Sequence, residues 1–143
     1  MLKEKLKLTG KLSIAINNEV VKEVDNLVVS DGKDFVASRM KDTTDAAMSH
    51  MAIGTGSTAA AAGDSALGSE SARVALTSTT VSSNVITYVA TFPANTPSSA
   101  AAITEAGLFN AGSAGTMLCR TVFDVVNKGT ADSMTITWSV TVS

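Results

Sequence analysis

The sequence has very few of the residues that build disulfides, metal centres and aromatic binding surfaces. Its 143 residues include one Cys, one His and only 4% aromatic side chains. A single Cys119 cannot form an internal disulfide, and one Cys with one His cannot supply a structural zinc site of the Cys/His type. The sequence therefore predicts no covalent staple, no metal and no cofactor.

A surplus of charge of one sign is also missing. The sequence has 11 Lys and Arg residues and 13 Asp and Glu residues, which gives a formal net charge of −2 at pH 7. Proteins held to nucleic acid by phosphate neutralisation carry a basic surplus. No apolar run is long enough for a membrane span, and Lys11 and Asn17-Asn18 interrupt the stretch that a secretion signal would need. We expect neither nucleic acid nor membrane as a partner, and an unprocessed cytoplasmic product.

Small aliphatic side chains carry most of the apolar character. Hydrophobic residues make up 45% of the chain, and its mean hydropathy is +0.23. Small side chains bury little area each, and a chain of this length leaves a large share of its surface exposed. Contact with further copies of the chain would cover that surplus, so we expect a homo-oligomer.

Most of the chain has the pattern of strands. The segment from Met134 to Val142 alternates strictly between apolar side chains and Thr or Ser, which predicts one core face and one hydroxyl face. Further extended segments, separated by turn residues, cover 73–82, 85–92, 103–109 and 116–126. Many short strands with little helix indicate a mainly β protein, an antiparallel, jelly-roll-like β-sandwich.

The N-terminal part differs in composition from the remainder. Residues 1–41 contain 14 of the charged residues, and the alternation on either side of Asn17-Asn18 predicts a hairpin between Lys11 and Asp25. We therefore divide the chain into an N-terminal arm or hairpin, 1–25, and a β-sandwich domain, 26–143. The arm is expected to make subunit and partner contacts.

One short helix is predicted near residues 31–41, with Ser30 placed to cap it. Its buried side consists of Phe35, Val36 and Met40, or of Ala37 and Met40. Further along, residues 54–68 are rich in Gly, Ser and Ala without any period, which predicts a long surface loop.

Side chains suited to catalysis are scarce. His50 is the single imidazole, and a structural or surface role is favoured over that of a general base. Cys119 lies in a predicted strand and is expected to be a small buried hydrophobe. The aspartates between residues 31 and 45 do not match the spacing of a calcium loop and lack its closing Glu. We predict a protein without enzymatic activity.

Glu105 is a carboxylate in the sparsely charged C-terminal half, where an ionised group needs an ion-pair partner. Arg73 and Arg120 are the candidates for a structural ion pair with it. Gly107 indicates a bulge or a close backbone contact. Gly54 and Gly56 indicate a tight bend rather than a phosphate-binding loop, because the third glycine and the Gly-Lys-Ser/Thr ending are missing.

Several segments occur in an order that resembles a known group of proteins. They are Ile53-Gly54-Thr55-Gly56, Asp64 to Leu67 with Glu70 and Arg73, Ile103 to Phe109 (Ile-Thr-Glu-Ala-Gly-Leu-Phe), Gly115 to Phe123, and the Thr-rich last strand. From about Asn26 to the C-terminus, the series resembles small structural proteins of tailed bacteriophages. The likeness is to the virion-proximal module of tail or collar fibres.

The resemblance implies a non-enzymatic β-sandwich that forms a homo-oligomer, a trimer, and joins other virion proteins. Its location would be the virion, after synthesis in the host cytoplasm. Two alternatives remain: a decoration protein of the phage capsid, and a carbohydrate-binding module that uses the long loop and the Pro93–Pro97 turn. Six residues are expected to be architectural: Gly54, Gly56, Arg73, Glu105, Gly107 and Arg120.

Overall fold

Alternating and β-branched residues place most of the chain in strands. The computed structural model describes residues 4–143. Its elements are β1 (Leu8–Ile16), β2 (Glu19–Val28), α1 (Ser30–Lys41), β3 (His50–Gly54), β4 (Glu70–Ala75), β5 (Ser78–Ser82), β6 (Val85–Phe92), β7 (Ala101–Phe109), β8 (Met117–Lys128) and β9 (Met134–Val142). Residues 1–3 of the predicted arm lie outside the described residues.

The strands form one curled antiparallel sheet in the order β4-β3-β7-β8-β2-β1-β9-β6-β5. We call β4-β3-β7-β8 the four-strand half and β2-β1-β9-β6-β5 the five-strand half. The halves are joined narrowly, because β2 pairs with β1 over seven residues and with β8 only at Leu27 and Val28. The prediction of a mainly β, antiparallel fold with one short helix is confirmed, and the curled sheet is compatible with the predicted sandwich.

A single large apolar cluster draws side chains from both halves. Its largest fully buried members include Trp138, Phe92 and Ile14 from the five-strand half and Ile53 and Leu108 from the four-strand half. Because both halves contribute to this one cluster, the curl of the sheet places the core between them. Removing this apolar surface from water stabilises the fold by roughly 25 cal/mol per Å².

The predicted N-terminal hairpin is present, and it lies within the sheet. Asn17 and Asn18 have φ of 51° and 70°, the left-handed values that a type I′ turn requires at both central positions. On its other side, β1 pairs with β9 over nine residues, and Leu12 and Ile14 enter the core. Residues 8–25 of the predicted arm therefore contribute two strands to the common sheet.

The helix lies where the sequence predicts it, but two details of that prediction are wrong. Ser30 is the first helical residue, it follows Val29 at the N-cap, and no side chain caps the helix. Met40 is 81% exposed rather than buried. A side chain at the buried Gly32 would meet the backbone of Leu118, so the first turn is the part of the helix held closest to the sheet. The last turn is exposed.

The segment predicted as one strand over 73–82 is two strands in the structure. The Leu76 N–H donates to the carbonyl of Ser49, which immediately precedes β3 of the four-strand half, at 2.9 Å. The Thr77 N–H donates to the Val89 carbonyl of the five-strand half at 2.7 Å. The chain thus crosses from one half to the other at this point. As a result β4 and β5 stand at opposite ends of the strand order.

Candidate functional site

The six residues predicted to be architectural meet on one face of the four-strand half. Strand register explains this, because Ala52 of β3 pairs with Arg73 on one side and Gly107 on the other, and Gly107 pairs with Arg120. Side chains alternate along a strand, so these positions point away from the core that the neighbouring residues enter. Gly54 pairs with Glu105 on the same outward face, and Gly56 follows two residues later.

A long loop, residues 55–69, closes over this face and is held there by Glu105. One carboxylate oxygen, Oε2, accepts the backbone N–H groups of Gly56 at 2.6 Å and Ser69 at 2.7 Å. The other, Oε1, accepts the N–H of Gly68 at 2.7 Å. Both ends of the covering loop are therefore bound to one fully buried carboxylate.

Arg120 extends this network to the middle of the covering loop. Its Nε and Nη2 donate to Glu105 Oε1 at 3.2 and 3.0 Å, and Nη2 also donates to the Thr58 carbonyl at 3.0 Å. Nη1 donates to Asp64 Oδ2 at 2.8 Å, and the same oxygen accepts the Ala61 N–H at 2.9 Å. Of the two arginines that the sequence offered to Glu105, the structure pairs Arg120 with it.

The electrostatics of the network favour ionised carboxylates. Burial raises the pKa of Glu105. The backbone N–H groups of Gly68, Ser69 and Gly56 and the Arg120 side chain lower it by more, so the net shift is downward. The pKa of Asp64 is also lowered, first by the Ala61 N–H against the effect of burial, and then by Arg120. Both oxygens of Glu105 are occupied as acceptors, so the arrangement serves to hold the loop.

Arg73 does not reach Glu105 and has its own partners. Its Nε and Nη2 donate to the Glu70 carboxylate at 3.0 and 2.7 Å, and its guanidinium carbon lies 3.8 Å from the centroid of the Phe109 ring. Nη1 donates to the carbonyls of Ala111 and Ala114 at 3.0 and 2.9 Å. Arg73 thereby ties β4 to the β7–β8 connection at the other end of the outward face.

Three glycines allow the close packing of this site. A Cβ at Gly56 would run into the Glu105 carboxylate, and one at Gly54 would run into the Ser69 carbonyl and Glu105. A Cβ at Gly107 would lie 3.0 Å from a methyl of Leu67 and 3.1 Å from the Phe109 ring. The covering loop can lie this close to the sheet because these positions lack side chains.

No structural role was predicted from the sequence for two polar residues of this half, although Asp64 begins one of the resembling segments. Asp64, whose side chain contacts Arg120, is the only acidic residue within the covering loop, which was the available signal. Lys128 is 1% exposed, and its Nζ donates to the carbonyls of Pro93 and Asp132 at 3.0 and 2.7 Å. Burial lowers the pKa of Lys128 and the charge of Asp132 opposes that shift. No local pattern marks a lysine for burial.

The residues considered for chemistry lie apart from this network. The half-buried His50 places Nδ1 2.8 Å from the hydroxyl of the adjacent Ser49. Cys119 is fully buried, as predicted, and burial raises its pKa well above the ordinary thiol value. Within residues 4–143, no group of three His, Cys, Asp or Glu side chains is arranged to hold a metal ion. No helix in the same range has the length and apolarity to cross a membrane.

Comparison of the chain with protein-family models, with curated proteins and with solved structures finds no match.

Proposed function

We propose that this chain is a non-enzymatic structural protein of a tailed-phage virion, a self-assembling β module of the tail-fibre or collar-fibre type. The proposal combines two kinds of support. One is the resemblance of its segments to such modules. The other is the use that the folded chain makes of those same segments.

The observation that carries the proposal is the convergence of the resembling segments. The Gly54-Thr55-Gly56 bend, Asp64, Glu105 and Arg120 come from four separate parts of the sequence and form one network under the covering loop. Every oxygen of Glu105 and every nitrogen of the Arg120 guanidinium has a partner within the chain. Residues used in this way are architectural, as a structural module requires.

Surface composition supports assembly over ligand binding. Large apolar side chains remain exposed in the monomer, among them Leu6, Met40 and Val81 at 70%, 81% and 70% exposure. A carbohydrate-binding module would stack sugars on exposed aromatic rings. Trp138 and Tyr88 are instead 0% and 5% exposed. The apolar surface fits subunit contacts with copies of the chain and with other virion proteins.

The test is to purify phage particles from the organism whose genome carries this sequence and to locate the protein on them. Mass spectrometry of the particles should find the chain in a fixed ratio to the major virion proteins, and antibody labelling seen by electron microscopy should mark the tail or collar. Labelling over the head would favour capsid decoration instead. Absence of the chain from purified particles would overturn the virion assignment.

A further inference from the structure

The outer edge of β5 has no hydrogen-bonded neighbouring strand within the described residues. β5 is the terminal strand of the sheet order, and all of its residues are exposed. Edge strands are normally protected against pairing by charged residues, proline or bulges. The β5 sequence, Ser-Thr-Thr-Val-Ser, contains neither a charge nor a proline, and the nearest charged residues in the chain are Arg73 and Glu105. Nothing in its own sequence repels a further strand.

The register of the β5–β6 hairpin determines which backbone groups face outward. Ser82 pairs with Val85 across a two-residue turn. The closing pair of such a hairpin exchanges both of its hydrogen bonds, and hydrogen-bonded residues alternate along the strand. Thr80 therefore bonds toward β6, while the N–H and C=O groups of Thr79 and Val81 point away from the sheet. The edge offers two donors and two acceptors.

An apolar groove adjoins this edge. It lies between α1 and the β5–β6 hairpin, has a volume of about 340 Å³, and is lined by residues that include Phe35, Met40, Ile86 and Thr79. Thr79 and Val81 share one face of β5, because side chains alternate with a period of two. Met40 and Val81 are among the most exposed large apolar side chains in the described part of the chain. One occupant could thus cover both the edge and the groove.

We propose that β5 pairs antiparallel with β5 of a second copy of this chain, about a two-fold axis at Thr80. In this register Thr79 faces Val81 of the partner subunit, and Val81 faces the partner's Thr79. All outward donors and acceptors are then paired, four hydrogen bonds in total by the alternation of antiparallel ladders. The contact is self-complementary, as a two-fold interface must be.

Side chains fit the same register. Thr80 meets the partner's Thr80, and Ser78 meets the partner's Ser82, so small hydroxyl and β-branched residues face each other and no like charges are opposed. Val81 of the partner subunit then lies beside Thr79, which lines the groove. The contact thus covers the exposed Val81 side chain of each copy. This inference deepens the self-assembly in the proposed function and rests on that part of it. A two-fold contact joins the copies in pairs, so it stands in place of the trimer that the resemblance implies.

Register-specific cross-linking tests the pairing. At a non-hydrogen-bonded antiparallel pair the Cα atoms are about 4.5 Å apart, within the range that a disulfide spans. We expect Thr80→Cys to form a covalent dimer on mild oxidation. Ser82→Cys is the matched control, because its sulfur would lie about four residues, roughly 13 Å, along the strand from its counterpart. The native Cys119 is fully buried. Equal cross-linking of both variants, or of neither, would overturn the register.

Solution mass separates this inference from the wider proposal. Light scattering across a concentration series should show that Val81→Lys lowers the mass of the assembly, while Val125→Lys, at a 53% exposed position on β8, does not. An assembly that survives Val81→Lys and gives no Thr80→Cys dimer would support self-assembly through another surface and overturn the β5 contact. A wild-type chain that is monomeric throughout would overturn both.

Discussion

The two halves of the sheet are built from similar strands but face different surroundings. In the four-strand half, the run from Glu105 to Phe109 is buried residue after residue, because the core lies on one side and the covering loop on the other. In the five-strand half, β9 alternates between buried and more exposed positions. Its outward hydroxyls pair across strands, as Thr91 and Thr135 do at 3.0 Å. The position of one loop decides whether a strand has one buried face or two.

The same difference between the halves explains why the buried ion pair lies in the four-strand half. Burying an ionised group is costly unless it is paired and hydrogen-bonded. Glu105 and Arg120 are 0% and 2% exposed, and they satisfy this condition with donors and acceptors from the covering loop. On the outward face of the five-strand half, side-chain hydroxyls are partly exposed and pair with hydroxyls of the neighbouring strand. The ionised groups on the second buried face are therefore paired with one another and with the covering loop.

The strongest test of this difference between the halves is the same substitution on both outward faces. Ala52→Lys would place an unpaired ammonium at a fully buried position beneath the covering loop, next to Arg73 in the register. We expect it to lower the free energy of unfolding by more than about 4 kcal/mol. Thr137→Lys, at an exposed position on β9, should change it by less than about 0.5 kcal/mol. Urea denaturation measures both, and equal losses would refute the distinction.

A smaller effect is expected from removing the carboxylate that binds the covering loop. Glu105→Ala leaves Arg120 without its closest buried partner and removes the acceptor of three backbone N–H groups. We expect a loss of about 3–5 kcal/mol in the free energy of unfolding. Glu70→Ala is the control, because that ion pair with Arg73 involves a 33% exposed carboxylate and should contribute about 0–1 kcal/mol. Similar losses for the two variants would show that the Glu105 network adds nothing beyond a surface pair.

The same comparison explains how much of the fold the sequence could predict. β6 and β9 match the predicted segments 85–92 and 134–142, because a strand with one buried face shows its period directly. The break between β4 and β5 was not predictable in the same way. It depends on the Leu76 N–H bonding to Ser49, just before β3, and on the Thr77 N–H bonding to Val89 of β6, and neither donor residue is a turn former.

The candidate site was predictable in its residues and not in its geometry. An isolated carboxylate required a cation, which brought Arg120 into consideration together with Arg73. The main ligands of Glu105 are backbone N–H groups of Gly56, Gly68 and Ser69, between 36 and 49 residues away in the chain. Backbone donors leave no side-chain signature in a sequence, so the covering of this face could only be seen in the fold.

Acid should weaken the four-strand half through the same carboxylate, with the smallest of the three effects. The pKa of Glu105 is lowered in the folded protein from its ordinary value of 4.5, by backbone donors and Arg120 acting against burial. A group with a lowered folded pKa contributes stability that is complete above the unfolded value and is lost as the pH falls through the folded value. Urea midpoints should therefore decline as the pH falls from the ordinary value of 4.5 through the lower folded value. In Glu105→Gln the decline should be shallower, with Asp64, Asp42 and Asp132, whose pKa values are also lowered, supplying what remains. Parallel pH profiles for the two proteins would mean that Glu105 binds its proton equally in both states, and that the covering loop is held by packing rather than by charge.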